Sequence, residues 1–470
     1  MPKTKLNYLI LSITAFITSV CILSMYFGWF DIFFYGSDTF HTHGMDYFQI
    51  PRAYLNLLDG KSPYDTWGGN QYGPYTTWYV NHPAFAVFVG SWFAMFSPWT
   101  SYTLFIIYSY FLMGICFYLI QKRVQSFLYK NIIFLILMCS IPTFVMLHGG
   151  NSQAHVILSI ALIMVGIYDL TYQLDEAKIK SAKRYIFIGL LISFFSKPII
   201  LLLLPMLLIE KMTRSLTLKS ILIYAVVSFL FIAVPVLNPQ GIGFNKIFYL
   251  ATHLDFVKEN MNIFKNNFVV NEYMKDNSIH WFNILILSDN KLNHVDVFSL
   301  PAFIHTMLGY DAPAFIYKIP LYISLILSFL IFLIKDKKLR LEAILAMIMI
   351  FTFSYLICYN IVWEYQFTFA LPIIAMLFIL KDKQVFYQPY IVPLICIGLI
   401  MCLPSCYIFI RKSDFFIKGG FHINWKLALN LIRFDKIIPA VIVFIILISQ
   451  LAILLKKTIL ISLQTQKTQN

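Results

Sequence analysis

The sequence predicts an all-α polytopic membrane protein, and three observations carry that class. Hydrophobic residues fill 59% of the 470 positions and charged residues only 12%, against about 25% charged in ordinary soluble domains. Apolar runs recur along the whole chain at roughly the 20-residue length that crosses a bilayer core as a helix. The remaining charges are segregated. Residues 1–6, 121–130, 171–184, 210–219, 335–342, 381–383 and 456–470, with Asp169, hold 21 Lys+Arg and 7 Asp+Glu. The rest of the chain holds 14 and 15, with Lys197 left over in an apolar run. Placing the first group in the cytoplasm satisfies the positive-inside rule. The net charge of +14 is then a topology signal with an attraction to cytoplasmic lipid, and nucleic acid is excluded as a partner.

The elements follow in order. Residues 7–27 form the first span. Lys3 and Lys5 precede it, but no small-residue cleavage site follows, so it reads as an uncleaved helix rather than a signal peptide. Further spans are expected near 100–120, 131–147, 153–170, 217–237, 316–334, 341–359, 364–380, 388–409 and 438–455, about ten in all. All seven cysteines (Cys21, Cys116, Cys139, Cys358, Cys396, Cys402 and Cys406) lie in apolar segments. No disulfide and no metal site is expected from them.

Two apolar segments do not fit as crossings. Residues 82–97 fall short of the roughly 17 that a span needs, and crossing there would put the following basic loops outside. They read as an interfacial helix, with Trp78, Tyr79, Trp92 and Trp99 as amphipathic anchors. Residues 185–209 have basic stretches at both ends, and Pro198 removes a backbone donor mid-way. They read as a re-entrant pair of half-helices with Lys197 near the tip. The chain is therefore one integral membrane domain, 1–470, with large external loops at 28–99 and 238–315 and a shorter one at 410–437.

The first external loop carries the most informative stretch, from Met45 through Asp46 to Asp65. Two readings of Asp46 stand side by side. Asp46-x-x-Gln49 fits a capping box, with Asp46 as helix N-cap. Pro51, which suits the first helical turn, starts the helix near Gln49 or Ile50 and leaves Asp46 as a loop carboxylate. Asp38 is the rival carboxylate, whereas Asp59 and Asp65 read as turn formers beside Gly60 and Pro63. Lys197 is costly in an apolar run unless it is paired or meets water, which marks a functional group; snorkelling is its bland alternative. His148-Gly149-Gly150-Asn151-Ser152-Gln153-Ala154-His155 gathers hydrogen-bonding groups between two spans. It reads as a substrate-contacting turn or as a plain C-cap, turn and N-cap. No third carboxylate or cysteine accompanies the two histidines, so a metal is not called for.

Asp46 followed by Tyr-x-x-x-x-Ala-x-x-Leu-x-x-Gly-x-x-Pro-Tyr resembles the first-loop pattern of the membrane-embedded GT-C glycosyltransferases. Phe195-Ser196-Lys197-Pro198 is similar to their lysine-bearing segment, and the 148–155 turn to their Gly-Gln/Asn turn. Tyr72-Gly73-Pro74-Tyr75 with Asn81-His82-Pro83 looks like their entrance to an interfacial helix, and Trp363-Glu364-Tyr365-Gln366 like their Trp-x-x-Tyr element. The resemblance runs through the first ~380 residues by short motifs whose order carries the weight. It is best to the bacterial polyprenyl-phosphate-mannose-type branch.

The resemblance implies transfer of a hexose from a polyprenyl-phosphate donor to a hydroxyl of a glycan or lipid, outside the bacterial inner membrane and without a cofactor. It implies Asp46 as base, Lys197 and His82 toward the donor phosphate, and His148, Asn151, Gln153, Trp363, Glu364 and Tyr365 toward substrates. Related chains often carry a histidine in the last motif, where this one offers Glu364, Tyr365 or Gln366. Two other classes compete. A lipid or sugar transporter or flippase would use Lys197 for substrate or coupling ions, but would often show repeated halves, and none is evident. A lipid-linked glycan polymerase or ligase would concentrate arginine in its late large loop, and 238–315 contains none.

Overall fold

The computed structural model describes residues 3–27, 43–59, 63–64, 69–75, 79–172, 175–237, 299–308, 313–359, 362, 364–403 and 425–469. Among these the chain is helical, with no strand. The helices are α1 (Lys3–Phe27), α2 (Gln49–Leu58), α3 (Pro83–Ala94), α4 (Pro98–Gln121), α5 (Phe127–Cys139), α6 (Ile141–Gly149), α7 (Gln153–Tyr172) and α8 (Glu176–Phe195). They continue as α9 (Leu204–Ile209), α10 (Lys211–Leu237), α11 (Leu300–Leu308), α12 (Ala314–Tyr317), α13 (Ile319–Leu330), α14 (Lys337–Cys358), α15 (Leu371–Asp382), α16 (Gln388–Cys402) and α17 (Trp425–Gln469). Short 3₁₀ segments cover Pro198–Leu203, Ile331–Leu333 and Glu364–Ala370.

Eight helical stretches are long and apolar enough to cross a membrane, which makes this a multi-pass architecture. They are α1, α4, the α5–α6 pair, α7, α10, α14, the stretch Tyr365–Asp382 and the Phe434–Thr458 part of α17. The two other expected spans appear as shorter apolar helices, Ile319–Leu333 and Gln388–Cys402. Lys318 and the Lys335–Asp336 pair bracket the first of these; for the second, residues 404–424 lie outside the described chain. The expected interfacial segment forms the short helix α3, whose middle, Ala86–Gly90, widens into a π turn.

Two apolar segments, one of them an expected span, are less regular than the hydropathy pattern suggests. The expected 131–147 helix breaks at Ser140, whose ψ of 153° is extended, and Pro142 in the first turn of α6 removes a donor there. The Thr143 hydroxyl donates to the Leu137 carbonyl at 2.9 Å and satisfies part of the opened ladder. In the 185–209 segment the expected half-helix pair is lopsided. Its first leg is the whole of α8, which starts at Glu176 and runs unbroken to Phe195. The chain turns at Ser196, Lys197 is extended, and Pro198 starts a return through a 3₁₀ turn and α9.

α7 and α14 form the centre. Their spanning windows are 94% and 100% buried, against 11% for α1 and 17% for α10 at the rim. α8 lies antiparallel along α7, where Ser159 donates to the Gly189 carbonyl at 2.7 Å. A Cβ on Gly189 would stand 2.9 Å from the Ser159 carbonyl oxygen and 2.8 Å from Ile163 Cγ1. Only glycine lets the two backbones approach this closely.

The basic segments gather at one end of the bundle, held by specific contacts. Arg123 grips Asp169 of α7 through two nitrogens. The Gln125 amide donates to Asp382 of α15 at 2.7 Å. Tyr172 donates to Glu342 of α14 at 2.6 Å, and Arg340 pairs with Glu210 after α9. Both legs around Lys197 therefore start and finish at this end. Glu210 is 2% exposed. Arg340→Met leaves its buried carboxylate with only the Met212 amide, 3.2 Å from Oε1, and no counter-charge among the described residues, and is expected to cost about 3 kcal/mol. Adding Glu210→Gln should restore most of the loss, read as thermal unfolding of the two variants in detergent.

Candidate functional site

The site lies at the end of the bundle opposite the basic contacts. It begins with a backbone clamp. The Gly44 amide donates to the His148 carbonyl and the Asp46 amide to the Gly149 carbonyl, each at 2.8 Å. This joins the turn at 43–48 to the turn between α6 and α7. α2 then starts at Gln49, where Pro51 falls in its first turn. Phe48 holds the N-cap position, and the Gln49 side chain donates to the Asp46 carbonyl at 2.7 Å. The Asp46 carboxylate is thus not spent on capping; it points to Asn151 in the turn between α6 and α7.

Across the clamp, three side chains from distant parts of the sequence form a line. Asn151 Nδ2 donates to Asp46 Oδ2 at 2.8 Å. Lys197 Nζ donates to Asn151 Oδ1 at 3.1 Å. The same ammonium sits 5.8 Å from the centre of the Tyr365 ring, within the range where a cation is drawn to an aromatic face. Asn151 and Lys197 are buried; Asp46 keeps part of its surface accessible. Burial pushes the Asp46 carboxyl above the usual carboxylate range, and the Asn151 hydrogen bond and the Lys197 charge pull it partly back.

The shape of the α6–α7 turn depends on Gly150, which adopts φ +67°. A Cβ there would lie 2.4 Å from Tyr47 Cβ, so a side chain would push apart the two turns that carry Asp46 and Asn151. Gly150→Ala is expected to cost at least about 1–2 kcal/mol through the left-handed conformation alone, and to unseat Asp46. The checks are a lowered melting temperature and loss of any Asp46-dependent activity. From α4, the Tyr102 hydroxyl bonds to the Leu147 and His148 carbonyls at 3.0 and 2.6 Å and supports the turn from behind.

The other sequence candidates divide by place. His148 is buried, with its ring 4.0 Å from that of His43. Gln153 opens α7 with no exposed surface, and neither atom of its side-chain amide finds a partner among the described residues. A buried, unpartnered amide two residues from Asn151 can serve a bound hydroxyl. His82 is committed differently. It caps α3 by accepting the Ala84 amide on Nδ1 at 3.1 Å, so its proton sits on Nε2, 3.0 Å from Ser228 Oγ. Burial pushes its pKa down to about 4 and keeps it neutral. Between the Phe195 and Tyr224 rings, 5.3 Å from each, it reaches a phosphate only by giving up Ser228. Tyr365 is in place, the Glu364 side chain is not described, and Trp363 and Asp38 lie outside the described residues.

Asn81, which the sequence offered only as part of Asn81-His82-Pro83, and Tyr102, which no motif included, also belong to the site. Asn81 is buried and accepts from Ser152 at 3.3 Å and, through its carbonyl, from Tyr64 at 3.2 Å. Its place between Val80 and His82 was the available signal; nothing in the α4 sequence marks Tyr102. Among the described residues no three His, Cys, Asp or Glu side chains converge as a metal site would need.

Comparison with known proteins yields no match: no family model fits the chain, and neither a curated protein nor a solved structure is similar to it. Its chemistry must therefore be argued from the geometry at Asp46, Asn151 and Lys197.

Proposed function

We propose that this protein is a glycosyltransferase of the bacterial inner membrane that moves a mannose-like hexose from a polyprenyl-phosphate donor to a hydroxyl of a glycan or lipid acceptor. The reading rests on one observation: a carboxylate and an ammonium face the two ends of a single amide, Asp46–Asn151–Lys197, at the end of the bundle away from its basic segments. Positive-inside placement puts that end outside. Ten crossings, with α8 and the 3₁₀–α9 return as a re-entrant element, complete the topology.

In this mechanism the acceptor hydroxyl gives its proton to the Asp46 carboxylate as its oxygen attacks the anomeric carbon. The bond from that carbon to the phosphate oxygen breaks, and the electron pair leaves with polyprenyl phosphate. Lys197 stabilises the charge gathering on that phosphate. Gln153, His148 and Tyr365 are the groups best placed to contact sugar or acceptor, with Trp363 and Glu364 assigned there by the GT-C resemblance alone. His82 serves the phosphate through its Nε2 proton once Ser228 yields.

The test is purified protein in lipid vesicles with a labelled hexosyl-polyprenyl phosphate and a membrane extract as acceptor source. Release of polyprenyl phosphate with label moving to a new product supports the reading. Label crossing the vesicle membrane with the donor intact would make the chain a transporter.

A further inference from the structure

A cavity lies at the rim of the bundle, toward the basic end and away from Asp46. It has a volume of about 490 Å³ and runs between α1, α4 and α5. Its mouth is at the basic end, marked by Gln121 at the close of α4 and by Lys130 in the first turns of α5. It extends up α1 from Leu11 to Ser19, about 12 Å at the helical rise.

Its walls are mostly apolar, with Thr14, Thr18, Ser19 and Asn131 among the lining residues, and Asn131 donates to the Phe127 carbonyl at 2.9 Å. Thr14 donates to the Ile10 carbonyl at 2.9 Å and Thr18 to the Thr14 carbonyl at 2.8 Å, so their hydroxyls are spent within α1. Phe117 and Phe134 meet edge to face at 5.3 Å and close the back. The mouth is the reverse. Among the described residues the side chains of Lys130 and Gln121 have no hydrogen-bond or ion-pair partner in the chain, and both are half-buried. A half-buried cation without a carboxylate, above an apolar slot open to the membrane, calls for a ligand with an anionic head and a hydrocarbon tail.

We infer that this groove is a binding site for one anionic phospholipid of the leaflet at the basic end. Lys130 and Gln121 hold its phosphate, and one acyl chain lies against Leu11, Ala15, Phe117 and Phe134. The charge complementarity is local to Lys130 and reinforced by the excess of Lys and Arg at that end. Basic residues near an anionic leaflet draw such lipids. The site is independent of the transferase reading, since it depends on none of Asp46, Asn151 or Lys197.

The probe is a phosphatidylglycerol with a photoactivatable acyl chain, incorporated with the full-length protein into phosphatidylcholine vesicles. Labelled peptides are mapped by mass spectrometry. Labelling should concentrate on residues 11–19 and 117–134. Lys130→Glu should lower it about tenfold through charge reversal. Ala15→Trp, which fills the slot while leaving the charge, should lower it as well. Lys180→Glu, an exposed basic-end control on α8, should not. Equal labelling by a photoactivatable phosphatidylcholine, unchanged labelling in Lys130→Glu, or the same fall in Lys180→Glu would each overturn the inference.

Discussion

Asp46→Asn is expected to leave a folded, well-expressed protein whose sugar transfer falls by about 10²-fold or more, the usual worth of a positioned base. Asparagine keeps the size and can still accept from Asn151 Nδ2 through its own carbonyl oxygen. It cannot take the acceptor proton. Stability should not fall with activity, and the sign can be worked out. Burial raises the Asp46 pKa in the folded state, so what this group adds to stability is present below its unfolded pKa and lost as pH rises through the folded one. Whenever it is ionised, the buried carboxylate is a burden on the fold, and the neutral amide of the variant removes it. The melting temperature should therefore hold or rise. Asp38→Asn is the control: if it abolishes transfer while Asp46→Asn leaves it near the parent rate, the base lies eight residues upstream. A large drop in melting temperature for Asp46→Asn would point instead to a structural carboxylate.

How much of this was legible depends on whether a feature is local. Helix number and placement follow from apolar length, and eight of the expected spans stand as such helices. The start of α2 at Gln49 was readable because proline has one favoured place in a helix. Lys197 was readable because a lysine between Phe195 and Pro198 has nowhere ordinary to go. The convergence itself was not readable. Asn151 stood in a turn with Gln153, His148 and His155, all equally polar, and the turn alone does not say which faces Asp46. That choice depends on Gly150 and on two backbone hydrogen bonds to residues about a hundred positions away. The break at Ser140 was hidden because its flanks are uniformly apolar, and hydropathy does not register a lost backbone donor. His82 stood as a phosphate candidate by the resemblance, and nothing near it in sequence showed that Ser228 of α10, far along the chain, meets its ring.

Lys197→Met is the second large effect. It keeps the apolar length and deletes the charge beside Asn151. Charge-assisted hydrogen bonds contribute roughly 1.5–3 kcal/mol, so donor affinity should fall by about 10- to 100-fold, measured as binding of a hydrolysis-resistant polyprenyl-phosphate analogue. A second consequence separates this from a merely structural lysine. Lys197 is one of the two influences that lower the raised Asp46 pKa. Without it, Asp46 holds its proton to higher pH. Since the base acts only when ionised, activity is lost as pH falls through that pKa, and the acid limb of the kcat/KM profile should move to higher pH in Lys197→Met. Parent-like donor binding together with an unmoved acid limb would remove Lys197 from the site.

The single amide at position 151 has a further consequence. Had Asp46 and Lys197 met directly, each would have neutralised the other and left neither for a substrate. An amide is uncharged and two-faced, with one acceptor and two donors fixed on a rigid plane. It satisfies both groups while holding them apart, and so acts as an insulator between them. Asn151→Asp would replace it with a charge that repels Asp46 and captures Lys197, whereas Asn151→Ala would let the pair collapse. In the proposed reaction the asparagine would keep a carboxylate and an amine close and unspent, and the gap it maintains would let a leaving phosphate and an incoming hydroxyl be received separately.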